Sequence, residues 1–109
     1  MLTLKRVVVF AGLAGLLVAA LVRAAEYVVT QKNRQFSTNQ MKVKVGDSVS
    51  FRNDDPFFHN IFSLSETQSF DLGSYPQGQA KKVTFTKAGR VEVECAIHPE
   101  MKMVVEVAQ

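Results

Sequence analysis

A chain of 109 residues that is 47% hydrophobic has enough apolar side chain for one core and too much for a disordered protein. Its net charge of +3 hints at an acidic partner, but Lys5, Arg6 and Arg23 supply the whole excess from the first 24 residues, where there is no acid. From Ala25 onward the ten remaining Lys and Arg meet ten Asp and Glu, which removes the electrostatic case for nucleic-acid binding.

The first element is a leader. Lys5-Arg6 precedes an uncharged run from Val7 to Val22, and Val22-Arg23-Ala24 carries small or tolerated residues where a signal peptidase reads. The run falls short of the about 20 apolar residues of a spanning helix. Residues 1–24 therefore read as a secretory signal cut after Ala24, with residues 25–109 as the mature domain in the periplasm or another extracytoplasmic compartment. Arg23, so near the cut, is unusual, and an uncleaved membrane anchor is the alternative.

From Ala25 to the end the chain reads almost entirely as strand. Tyr27 to Thr30 is the first, and the polar segment Gln31 to Gln40 reads as a loop. Val43 and Val45 alternate with lysines, Gly46-Asp47 marks a turn, and Val49 and Phe51 alternate with Ser48, Ser50 and Arg52. Asn60 to Leu64 is a short strand, and Leu64 to Ser69 has room for one helical turn. Val83 and Phe85 alternate with threonines, Lys87-Ala88-Gly89 turns the chain, and Val91, Val93 and Cys95 share one strand face. Met103, Val105 and Val107 close the chain in the same period. Short strands divided by turns predict an all-β antiparallel sandwich of one domain.

Chemistry concentrates in ECAIHPEM, Glu94 to Met101, which holds the only cysteine, one of two histidines and one of four methionines. One cysteine cannot form an internal disulfide, so in a secreted domain Cys95 is buried, intermolecular or a ligand. Strand phase turns its sulfur inward at one end of the sandwich, where the chain enters the loop carrying His98. The other histidine, His59, lies in DDPFFHNIFS, at a junction between loop and strand that can reach the same end. Thiolate, imidazole and thioether on one tight loop suit copper, and His2Cys with a weak axial Met is the blue-copper electron-transfer set. Asp54-Asp55 reads as a turn, too poor in oxygen ligands for calcium. Phe57 and Phe58 read as packing, and Lys81-Lys82 as a solvated strand edge that discourages sheet-to-sheet pairing.

These segments resemble the cupredoxins, and among them the amicyanin and plastocyanin-like group. MKVKVGDSVSFRNDD is similar to the family's strand, Gly-Asp turn and strand; FFHNIFS to its first-ligand segment; FDLGSYPQGQAKKVTF to its next connection; AGRVEVECAIHPEM to its ligand loop. The resemblance spans most of residues 25–109, and its Cys-x-x-His-Pro-x-Met spacing is the short amicyanin form. It implies a Greek-key β-sandwich, with His59, Cys95 and His98 as equatorial copper ligands, Met101 as the axial ligand and Asn60 tying the two ligand segments together. Met103, at the longer plastocyanin-like spacing, is the competing axial candidate. It alternates with Val105 and Val107 and so reads as core, which leaves Met101 free to turn toward the metal. Relatives often carry a hydroxyl residue and then Pro between Cys and His; here Ala96-Ile97 stands instead, and a local hydrogen bond is lost.

One copper uses every Cys and His, and no acid–base pair lies beside a nucleophile, so the expectation is a carrier and not an enzyme. The predicted function is single-electron shuttling between redox proteins, such as a c-type cytochrome or a dehydrogenase, by a soluble monomer. Copper buffering or delivery by the same ligands is the alternative function, and a metal-free adhesion-type sandwich is the reading in which the cluster is coincidence.

Overall fold

A computed structural model describes residues 23–109; the leader expected over residues 1–24 lies, but for its last two residues, outside them. Among the described residues nine strands form: β1 Glu26–Lys32, β2 Gln35–Phe36, β3 Gln40–Lys44, β4 Ser48–Asn53, β5 His59–Ser63, β6 Phe70–Tyr75, β7 Ala80–Thr84, β8 Gly89–Cys95 and β9 Lys102–Ala108. They make two sheets, ordered β2-β1-β4-β7 and β3-β9-β8-β5-β6. The expected all-β two-sheet sandwich is what forms. Two of its ladders, β1 with β4 and β3 with β9, are parallel, and the others are antiparallel.

The alternation read from the sequence becomes the core. Val49, Phe51, Ile61, Val83, Val91, Val93, Val105 and Val107 all turn inward, and Cys95 continues the buried face of Val91 and Val93. Phe51 packs edge-on against Phe36, with ring centres 6.3 Å apart, and beside Phe70 at 6.4 Å. Tyr75 closes the core near one end. Its hydroxyl donates to the Phe51 carbonyl and accepts from Gln31 Nε2, while burial pushes the phenol up to about 12.

The Gly46-Asp47 turn forms as expected, with Gly46 at φ 101°, a conformation open to glycine at little cost. Val45 belongs to that turn and is exposed, so it does not extend the alternation of β3. Asp47 holds the turn by accepting the N–H groups of Lys44 and Ala25. Gly89 opens β8 at φ 139°, and a Cβ there would lie 2.8 Å from Thr67 Oγ1. Lys81 and Lys82 lie exposed on edge strand β7, as expected.

Two further local expectations differ. Gln31 to Gln40 contains the end of β1, a tight turn at Asn33-Arg34 and the short β2, which together make a hairpin. Leu64 to Ser69 holds no helix. Beyond it lies β6, an edge strand interrupted by Gly73 at φ 72° and facing a register shift in β5 between Asn60 and Phe62. A bulge of that kind breaks the period-2 pattern by which a strand is read.

Candidate metal centre

His59 is the first residue of β5 and Cys95 the last of β8. The two strands pair antiparallel, with Ile61 opposite Cys95, so the start of one meets the end of the other at one pole. The Ala96 to Glu100 loop then brings His98 back over the cysteine. His59 Nδ1 lies 3.6 Å and His98 Nδ1 3.7 Å from Cys95 Sγ, and the three donor atoms all fall within 4.8 Å of one another. Protein sulfur and imidazole donors bind a metal such as zinc at about 2.0–2.3 Å, so two donors sharing one ion at an open angle stand about 3.5–4 Å apart. The cluster fits a single ion of the thiolate–imidazole class.

The donors differ in exposure. His59 and Cys95 are 0% and 2% exposed, whereas His98 is only partly covered. Phe57 packs its ring against both imidazoles at 5.4 Å and stays 36% exposed; this is the packing role expected of it. Phe58 and Ile97 are half exposed.

Met101 and Met103 are both 1% exposed. Met103 lies in β9 opposite Val93, and the last paired residues of that ladder are Glu94 and Lys102. One further step in the same register sets Met101 opposite Cys95. Its N–H donates to the His98 carbonyl at 2.9 Å, closing a turn from His98 to Met101.

Asn60 ties the two ligand segments through its backbone. Its carbonyl accepts the Ala96 N–H at 2.9 Å and its N–H points at Cys95 Sγ at 3.5 Å. Its side-chain Oδ1 is buried without a partner among the described residues, next to the loop where Ala96 offers no hydroxyl.

Asp55 is the residue that sequence reading missed. It is 2% exposed, and its Oδ2 lies 2.8 Å from His59 Nε2. Its Oδ1 accepts the N–H of Asn33 at 2.6 Å and its Oδ2 that of Arg34 at 3.0 Å. Burial raises the carboxyl's pKa, but the Arg34 N–H, the His59 side chain and the Asn33 N–H outweigh it and hold the group below the usual range. The turn expected at Asp54-Asp55 is present, braced by Asn53 Oδ1, which accepts the Asp55 N–H, and by Gln31, whose carbonyl accepts that of Asp54. The available signal was chemical: a metal-bound imidazole donates its second N–H to something, commonly a carboxylate.

Comparison with known proteins agrees with this geometry. The family of copper binding proteins described as plastocyanin/azurin matches residues 24–108. The chain belongs to that family. It is an amicyanin-like cupredoxin, non-enzymatic in kind, and its cofactor is copper. It is 34% identical over 86 residues to the methylamine utilization protein MauL of Methylorubrum extorquens, covering 78% of this chain and 75% of that one. It is 33% identical over 93 residues to amicyanin of Paracoccus denitrificans, covering 81% and 71%. A Met-to-Ala mutant of amicyanin in the Cu(I) state superposes with a TM-score of 0.70 at 28% identity, covering 75% of this cupredoxin and 81% of that chain. The Cu-containing nitrite reductase of Thermus scotoductus shares the fold at 24% identity, with a TM-score of 0.72, and this cupredoxin spans 24% of its length.

Proposed function

We propose that this cupredoxin is an extracytoplasmic carrier of single electrons, with His59, Cys95 and His98 as equatorial copper ligands and Met101 as the axial one. The observation that carries the reading is the convergence of one sulfur and two imidazole nitrogens at one pole of the sandwich, from the paired strands β5 and β8 and the loop that follows β8. Copper bound there supplies a Cu(II)/Cu(I) couple. The protein's part is to keep the donors in one arrangement for both charges, so that little moves when an electron passes. Cys95, His59 and Met101 are closed to water, which keeps stray ligands away. Partly exposed His98 is the contact to partners.

Those partners are redox proteins, and the likeness to MauL and amicyanin favours ones that serve methylamine utilization, such as a dehydrogenase or a c-type cytochrome. The basic, then apolar, residues 1–24 support export to the periplasm with cleavage after Ala24. Intact mass of the exported protein should begin at Ala25, and a mass retaining residues 7–22 would instead mean an anchor.

Repeated chemical reduction and reoxidation of the copper-loaded protein tests the carrier role. The expected result is full, rapid recovery of the visible band over many cycles with no copper lost to a chelator. Loss of copper on each reduction would favour delivery over electron transfer.

A further inference from the structure

His59 has two ring nitrogens, and the fold decides which of them is free. Asp55 as a carboxylate only accepts, so the His59 nitrogen facing it at 2.8 Å carries the proton. In the neutral ring that leaves a lone pair on Nδ1, the atom 3.6 Å from Cys95 Sγ. The carboxylate is itself fixed by two backbone N–H groups from Asn33 and Arg34. Both residues are left-handed, at φ 56° and 57°, which is a costly state for Arg34. Placing two successive N–H groups on one carboxylate offsets that cost. Arg34 also sets its guanidinium 5.9 Å from the centre of the Phe57 ring, the same ring that packs on His59 and His98. The tip of the β1–β2 hairpin thus reaches the metal pole by two routes.

We propose that Asp55 is a positioning residue for the copper centre: its buried carboxylate fixes His59 in the Nδ1-free tautomer, aims the ring at Cys95 and lowers the reduction potential of the bound ion. The inference rests on the reading of His59 as a copper ligand. A fixed negative charge beyond the imidazole favours Cu(II), the more positive ion, over Cu(I), and burial keeps it from being screened away. Its anchor on the hairpin makes the effect directional. Asparagine at the same place has no charge, and its amide nitrogen opposes one of three N–H donors.

The test compares Asp55→Asn and Asp55→Glu with the parent. Asp55→Asn should keep an intense visible band and raise the reduction potential, a gain for Cu(I) over Cu(II) of about threefold or more. Asp55→Glu, which keeps the charge, should recover most of the difference. A potential unchanged in Asp55→Asn, in a parent that does turn blue, overturns the inference while leaving the copper reading intact; a parent that never turns blue removes the copper reading instead. Nitrogen-15 NMR of the copper-free parent stands apart from either variant's folding. It should find the His59 proton on Nε2 and slow to exchange, and a proton on Nδ1 would overturn the proposal.

Discussion

Met101 and Met103 show what one residue of difference means here. Both thioethers are buried, and 101, 103, 105 and 107 share one phase, so alternation alone does not separate them. The ladder does: Met103 faces Val93 within the core, and Met101 comes one step beyond the last pair, opposite the proposed ligand Cys95. An axial thioether bonds weakly yet tunes potential, while a core Met contributes packing that Leu largely replaces, at about 1.5 kcal/mol or less. Met101→Leu should therefore move the potential and the visible spectrum with little loss of apo stability. Met103→Leu should leave both where they are, and voltammetry of the two variants giving the reverse would transfer the axial role to Met103. The donors were legible in the sequence because sulfur and imidazole are scarce in it and carry specific chemistry. Asp55 was not, because a carboxylate in a polar loop looks the same whether it meets water or a buried imidazole.

At the scale of elements, the turn between β3 and β4 shows the same division. Gly46-Asp47 could be read as a turn, but the grip of Asp47 on Ala25, from a segment 22 residues earlier, depends on β1 lying parallel beside β4. The N–H groups of Ala25 and Lys44 hold the Asp47 carboxyl below its ordinary value. A carboxyl lowered on folding adds stability above its unfolded value, and that stability drains away as pH falls through the folded one. Asp47→Asn should thus melt below the parent at neutral pH, and the gap should narrow in the acid range below about pH 4. Melting curves with a constant gap from pH 7 to pH 3 would mean that the carboxylate's charge plays no part. Strands β2 and β6 escaped sequence reading for a geometric reason. One is two residues long, and the other carries a left-handed glycine opposite a register shift, so neither shows a period. The longer strands β4, β5, β8 and β9, where core-facing residues alternate with more open ones, were legible.

Across the whole molecule the two poles divide the work. Ala25, the Gly46-Asp47 turn, Phe85 and Ala108 are hydrogen-bonded together at one pole, and β4 leads from there toward the loop that holds Asp55 and delivers His59 at the start of β5 at the other. Ala25, the first residue after the proposed leader, therefore lies at the pole away from the donors. With ten basic and ten acidic residues from Ala25 onward, partner encounter should depend little on ionic strength. The claim on which the rest depends is that the sulfur of Cys95 and the imidazoles of His59 and His98 bind one copper. Adding one equivalent of Cu(II) to the purified apoprotein and recording its visible spectrum tests this most directly. An intense thiolate-to-copper band should reach its full height at one copper per chain and be absent in Cys95→Ser. A protein that stays colourless, or a band that survives in Cys95→Ser, would contradict it.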